Sequence, residues 1–186
     1  MRTTMRPFFA SVVCAVAGCL VVGCGYLGAS ASGEPTRTFQ GSVSRSKVYS
    51  SLSELAADAD SVVRGVAGDS RFDLKRGMPF TITSFDVTES PDAAMVGSRI
   101  SIRQAGAVDY LIEGVTELLE SGGEYLLFLS AFRLENGSPI EGQFVVTGEQ
   151  GGWQITRKGA HPIFDGSPQL ASPLSQEQIA TILGPE

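Results

Sequence analysis

The order of apolar and polar residues along the chain predicts a short helix, a long series of strands, and a second short helix. Residues 51–54 (Ser-Leu-Ser-Glu) form a capping-box pattern, and apolar residues follow it at helical spacing. Ser175 and Gln178 repeat that pattern before a last helix, which Gly184 and Pro185 end. Both helices are too short to build a helical domain.

Between the two helices the apolar residues follow the period of β-strands. The segment 124–129 is apolar after its first residue, so both of its faces are expected to be buried, as in a central strand. Short strands separated by glycine-rich turns indicate an all-β sandwich or barrel. We expect a small closed OB-like barrel with one or two short flanking helices. The predicted strands cover residues 62–67, 80–88, 96–103, 124–129, 144–146 and 153–155.

An irregular pattern in the second strand favours a closed barrel. Phe80 and Ile82 lie on one face, whereas Phe85 and Val87 have the opposite parity. One extra residue near Thr83 would return all four side chains to the same face, as a β-bulge does. Bulges bend long strands enough to close a small sheet. Two separate short strands are the alternative.

The third strand and residues 109–120 give two further predictions, one about a solvent-exposed face and one about secondary structure. In the third strand Ile100 and Ile102 alternate with Arg99 and Arg103, which predicts a solvated arginine face. Residues 109–120 fit both a helix and a strand with a turn, so their conformation stays open. The pair Gly68-Asp69 is expected to end the first strand.

The first 24 residues have the pattern of an export signal. Arg2 and Arg6 precede the uncharged apolar stretch 8–22, and Val-Val-Gly-Cys ends at Cys24. This ending resembles a bacterial lipobox, in which the cysteine is diacylated and becomes the new N-terminus. We therefore expect a lipoprotein signal peptide at 1–23, a lipidated N-terminus and flexible linker at 24–46, and the β-barrel domain at 47–186.

Other interpretations of this segment stay open. Cys19 also ends a lipobox-like pattern, but cleavage there would leave apolar residues at the mature N-terminus. An ordinary signal peptide or a retained transmembrane helix are further alternatives. With Cys24 as the lipidated residue, the domain would lie on the extracytoplasmic face of the cell membrane. The membrane would then be its partner through the lipid anchor.

Charge and cysteine content narrow the classes of partner. All three cysteines precede Gly25, so the mature domain has no disulfide and no cysteine ligand for a metal. Without Arg2 and Arg6 the chain has 12 basic against 20 acidic side chains, a balance of −8 compared with −6 for the whole. An acidic domain repels phosphate backbones, which argues against nucleic acid and against a polybasic grip on lipid.

The order of the strand sequences resembles a known group of proteins. The relevant segments are Ala-Asp-Ser-Val-Val-Arg-Gly (59–65), Thr-Ile-Thr-Ser-Phe-Asp-Val-Thr-Glu (81–89), Gly-Ser-Arg-Ile-Ser-Ile-Arg-Gln (97–104) and Leu-Glu-Ser-Gly-Gly-Glu-Tyr-Leu-Leu-Phe-Leu (119–129). They resemble uncharacterised Gram-positive, especially actinobacterial, exported lipoproteins with the layout of tissue-inhibitor-of-metalloproteinase and netrin-like modules. The resemblance implies an OB-type barrel. It does not imply zinc chelation by a free N-terminal cysteine, because Cys24 would be acylated and separated from the barrel by the linker.

Residues that could support catalysis or metal binding are few and scattered. His161 is the single histidine, and Pro162 and Pro168 predict that it lies in a loop together with Asp165 and Ser167. A serine triad needs a nucleophile elbow before a helix, and no Gly-x-Ser-x-Gly pattern is present. One histidine without a mature cysteine leaves too few ligands for zinc. We therefore expect no catalytic residue, no metal and no cofactor.

Paired acids and one tryptophan have structural explanations. Asp58 with Asp60, or Glu113 with Glu117, could form an acid–base pair, but such pairs are commonly solvated faces of a helix or strand. Trp153 alternates with an apolar residue in a strand, which favours a core position over a ligand platform. The sequence thus predicts a non-catalytic binding or accessory module. The alternative is a cell-envelope hydrolase that uses paired carboxylates.

Arginine is common where protein partners dock, so arginines on predicted strand edges and loops are the candidate contact residues. These are Arg99, Arg103 and Arg133. A protein partner at the cell envelope would bind this side of the domain, and His161→Ala should leave its function unchanged.

Overall fold

The structure is a computed structural model, and it describes residues 37–38, 47–75, 77–108, 110–111, 117–133, 137–164, 170 and 172–184. The predicted signal peptide, Cys19, Cys24 and most of the predicted linker lie outside these residues. The described elements are β1 (Arg37–Thr38), α1 (Leu52–Asp58), β2 (Ser61–Lys75), β3 (Met78–Glu89), β4 (Arg99–Ala105), β5 (Tyr110–Leu111), β6 (Glu124–Arg133), β7 (Pro139–Val146), a 3₁₀ turn (Thr147–Glu149), β8 (Gly152–Thr156), β9 (Gly159–Pro162) and α2 (Gln176–Leu183).

One sheet of seven strands dominates the fold, in the order β2-β3-β4-β7-β6-β8-β9. An additional antiparallel pairing between β2 and β6 joins the first and fifth members of that order. The strands β2, β3, β4, β7 and β6 therefore form a closed ring. Within the ring only β4 and β7 run parallel. The structure confirms the coarser part of the fold prediction, because the described residues form a mostly β domain with two short helices where one or two were expected.

The strand β2 differs from the sequence prediction in both its length and its bulge. It continues through Gly68 to Lys75, so the expectation that Gly68-Asp69 ends the strand is wrong. The extra residue lies in β2, because Ala67 pairs with Phe85 whereas Ser70 pairs with Thr83. The bulge predicted within β3 is wrong, since the register between β3 and β4 is continuous over this stretch. The glycine absorbs the bulge instead of ending the strand.

The apolar side chains form two cores, and β6 lies between them. Leu127 and Leu129 point into the core inside the ring, whereas Leu126 and Phe128 belong to the core that the helices cover on the outer side. Residues 125–129 are all buried, which confirms the prediction of a central strand with two apolar faces. Trp153 is fully buried in the outer core, as its spacing predicted.

Side-chain caps position the two helices over the outer core. Ser51 begins α1 by accepting the Glu54 backbone N–H, while the Glu54 carboxylate binds Ser50. Ser175 and Gln178 form a reciprocal capping box at α2, as predicted. The helices have seven and eight residues, and none in the described part of the chain is long and apolar enough to cross a membrane.

The remaining predictions concern short segments. His161 lies in the strand β9, where it pairs with Gln154, and not in the loop that its neighbouring proline suggested. Of the open segment 109–120, Tyr110–Leu111 form the strand β5, which pairs in parallel with β1. Asp165, Ser167 and Glu113 lie outside the described residues.

Candidate functional site

The hairpin formed by β2 and β3 extends beyond the ring, and its tip is the most distinctive surface of the described domain. Lys75 pairs with Met78 across a two-residue turn. Gly77 in that turn has a φ of 79°, a conformation that favours glycine and is typical of tight hairpins. The loop after β4 leaves the sheet at the same end, because the Gly106 N–H donates to the Pro79 carbonyl at 2.9 Å.

An arginine from β4 connects the hairpin to the end of β6. The Arg103 Nη1 lies 2.6 Å from the Asp73 Oδ2 of the hairpin. Its guanidinium carbon lies 5.2 Å from the centre of the Phe80 ring and 4.6 Å from the centre of the Phe132 ring. The Lys75 ammonium is 5.5 Å from the same Phe132 ring. We call this group of Arg103, Asp73, Phe80 and Phe132 the arginine clasp.

The arginine clasp combines an ion pair with two cation–π contacts around one buried guanidinium. Arg103 is 7% exposed, and its Nε has no hydrogen-bond partner among the described residues. Hydrogen bonding by Arg103 lowers the pKa of Asp73, and the positive charges of Arg71 and Lys75 act in the same direction. Burying an arginine in this way is costly unless it is paired, so the clasp fixes the hairpin through contacts that depend on each other.

Beside the clasp the hairpin presents apolar and basic side chains to solvent. Leu74 is 55% exposed and Val108, in the loop after β4, is 89% exposed. Arg71 on β2 and Arg133 at the end of β6 are also exposed, and Lys75 is half-buried. We call these five residues the hairpin surface; Arg71 and Lys75 lie on the same face of β2 as Asp73, whereas Leu74 lies on the opposite face. Phe72, between Arg71 and Asp73, is 52% exposed.

The three arginines that the sequence singled out have different environments. Arg133 is exposed at the end of β6. Arg99 is exposed as well, but its guanidinium forms a two-point contact with Asp86 at 2.6 and 2.9 Å. Arg103 is buried, so its prediction as a solvated docking residue is wrong, because the hairpin bends over the outer face of β4 and covers it.

The carboxylates proposed for acid–base chemistry have separate structural partners. Asp58 accepts a short hydrogen bond from the Tyr49 hydroxyl and lies 3.4 Å from the Lys47 Nζ. Burial, followed by the hydrogen bond to Asp58, raises the pKa of Tyr49 to about 12. Asp60 accepts the Ala131 backbone N–H at 2.8 Å. Each acid thus fixes a segment next to α1.

Other candidate groups have ordinary structural roles. Glu117 is exposed, and its backbone N–H donates to the Ile163 carbonyl. His161 is exposed on β9. Residues 148–152 contribute to the 3₁₀ turn and to the start of β8. Within the described ranges no three histidine, cysteine, aspartate or glutamate side chains are grouped so that they could hold a metal ion.

Sequence reasoning missed most of the hairpin surface. Charged and apolar residues alternate after Gly68, which is typical of a strand; the charged ones are Arg71, Asp73 and Lys75, and the apolar ones are Phe72 and Leu74. This pattern was missed because Gly68 was expected to end the strand. The contact of Phe132 with Arg103 joins strands far apart in sequence, and no local pattern indicates it. Searches of protein-family models, curated proteins and solved structures found no significant match to this chain.

Proposed function

We propose that this protein is a membrane-anchored extracytoplasmic lipoprotein whose OB-like barrel acts as a non-catalytic binding module through the hairpin surface. The observation that carries the proposal is the arginine clasp. Arg103 makes an ion pair and two cation–π contacts that fix the hairpin, while Leu74 is exposed on the opposite face of β2. A rigid element that presents apolar and basic side chains has the composition of a binding surface.

The arrangement of the strands supports an OB-like barrel. An OB fold is a five-stranded Greek-key barrel that binds ligands over its second and third strands and over the loops 1–2 and 4–5. In the ring, β3 and β4 take the second and third places. The turn at Gly77 takes the place of loop 1–2, and the connection between β6 and β7 takes that of loop 4–5. Two members of the arginine clasp, Phe80 and Arg103, lie on β3 and β4, while Asp73 and Phe132 come from β2 and β6 on either side.

The sequence pattern before Gly25 supports the anchored location. We expect Cys24→Ala to abolish incorporation of labelled fatty acid and to release the protein from membranes or leave it unprocessed. Cys19→Ala is the matched control and should be labelled like the unchanged protein. Full labelling of Cys24→Ala together with loss of labelling in Cys19→Ala would contradict the assignment of Cys24.

In-cell photocrosslinking tests the binding surface. A diazirine amino acid replaces Leu74 in one full-length protein and Val96 in the other; these residues are 55% and 48% exposed. Val96 precedes β4 and therefore lies at the opposite end of that strand from the hairpin tip. We expect adducts at position 74 in at least five-fold greater yield than at position 96. Equal yields, or no adducts at position 74, would refute the binding surface.

A further inference from the structure

The distribution of charge at the hairpin is opposite to that of the whole chain. The formal net charge of the protein is −6. The hairpin surface, in contrast, contains Arg71, Lys75 and Arg133 and no acid. The one acid of the neighbouring clasp, Asp73, is neutralised by Arg103 at 2.6 Å. The hairpin surface is therefore basic although the whole chain is acidic, which the net charge alone could not indicate.

The two exposed apolar residues of the hairpin surface come from separate protruding elements. Leu74 lies one residue before the last residue of β2 and pairs with Pro79. The loop that carries Val108 begins beside that same proline, through the bond from Gly106 to the Pro79 carbonyl. Both side chains are thus exposed at one end of the sheet, and Arg71 and Lys75 lie on the opposite face of β2 from Leu74. A hairpin tip with apolar residues on one face and cations on the other has the amphipathic composition of elements that enter the headgroup layer of a membrane.

We propose that the hairpin surface docks on the anionic lipid headgroups of the membrane that carries the protein. Lys75, Arg71 and Arg133 would contact the headgroups, while Leu74 and Val108 enter the interface. The inference rests on the proposed function and names the partner of that site. A flexible linker over residues 25–36, which precede β1, would have a root-mean-square length of about 20 Å, which keeps the domain within reach of the surface.

The arrangement favours a lipid surface over an acidic protein. A protein partner would be expected to fill a pocket with a central anchor residue, whereas Leu74 and Val108 protrude from different elements. Each cation close to an anionic membrane contributes a factor of about five to the binding constant. The acidic remainder of the domain is repelled by the same lipid, so the charge distribution also orients the domain with the hairpin towards the membrane.

Lipid crosslinking in vesicles tests the docking. The full-length protein with the diazirine at position 74 or at position 96 is reconstituted in phosphatidylcholine vesicles with or without about a third of phosphatidylglycerol. Attachment through residues 1–24 is the same in both proteins, so it cannot cause a difference between the positions. We expect at least five-fold more lipid adducts at position 74 than at position 96 in the anionic vesicles. That excess should fall in pure phosphatidylcholine and in high salt.

Two double variants separate local charge from net charge. Arg71→Gln with Lys75→Gln should lower the yield of lipid adducts at position 74 about ten-fold or more. Arg157→Gln with Lys158→Gln removes the same charge from the exposed turn between β8 and β9 and should leave the yield unchanged. An equal decrease in both would overturn the inference, as would equal lipid yields at positions 74 and 96.

The outcomes also distinguish this inference from the proposed function. Protein adducts at position 74 in cells, without lipid adducts in vesicles, would refute lipid docking and leave the binding surface supported. If position 74 gives no more adducts than position 96 in cells and in vesicles, both proposals are refuted.

Discussion

The position of β6 between two cores makes a quantitative prediction for Phe128→Ala. The Phe128 side chain is fully buried, and its ring lies 5.6 Å from Trp153 in an edge-to-face contact. Trp153 makes a second such contact with Phe164. Truncating a buried phenylalanine costs about 3–5 kcal/mol, and an aromatic contact adds about 0.5–1.5 kcal/mol beyond the buried area. We therefore expect a loss of about 4–5 kcal/mol in the free energy of unfolding.

Urea denaturation followed by fluorescence measures this loss directly, because Trp153 is the single tryptophan and lies in the affected core. With a slope of about 1–3 kcal/mol per M urea, the midpoint should decrease by roughly 2 M at an unchanged slope. Leu127→Ala tests the inner core and should cost about 2–5 kcal/mol. Val96→Ala, at an exposed turn, should cost less than about 0.5 kcal/mol.

A loss of this size is a large part of the 5–15 kcal/mol that stabilises a typical domain. If Phe128→Ala does not fold, Phe128→Leu keeps most of the volume and should cost about 1–2 kcal/mol. Hydrogen exchange of the unchanged protein supplies a second measurement, in which the amides of 125–129 should be the most protected. A loss below 1 kcal/mol in Phe128→Ala, or fast exchange in this segment, would refute the two-core account of β6.

Three further predictions concern a close backbone contact and two titrating groups. In Gly65→Ala the new Cβ would lie 2.1 Å from the Asp86 carbonyl oxygen, so urea denaturation should show a loss of about 1–3 kcal/mol. The pKa of Tyr49 is raised to about 12, so its contribution to stability should persist to about pH 10 and disappear as the pH approaches 12. Melting temperatures against pH should show that decrease, and Tyr49→Phe should flatten it. Because the pKa of Asp73 is lowered, its contribution should be present above about pH 4 and disappear on further acidification; Asp73→Asn should reduce this acid dependence of the melting temperature.

The elements with unambiguous local signals could be predicted from the sequence. The strand β6 could be predicted because its residues 125–129 are apolar at consecutive positions, which makes both faces of the strand apolar. The helix α2 was readable because Ser175, Gln178 and Gly184 give its beginning and end within nine residues of each other. In each case the information lies within one short window, so no distant contact was needed.

The hairpin and the clasp depend on contacts between strands that are far apart in the sequence, so no short stretch of sequence predicts them. Gly68 was expected to end the strand because glycine weakens strands. In the structure the pairing of β2 with β3 continues past Gly68, and this residue lies in a β-bulge. The alternation in β4 correctly places Arg99 and Arg103 on the same outer face. It cannot indicate that the hairpin bends over only one of them, since that burial comes from Asp73 and Phe132, on other strands.

The most direct test is whether the arginine clasp positions the binding surface. Arg103→Met keeps an apolar stem between the Phe80 and Phe132 rings but removes the ion pair with Asp73 and both cation–π contacts. With the diazirine at position 74, the yield of adducts in cells should decrease at least five-fold, while hydrogen exchange in residues 125–129 stays unchanged. An unchanged adduct yield in Arg103→Met, with the domain folded, would contradict the claim that the clasped hairpin is the functional surface.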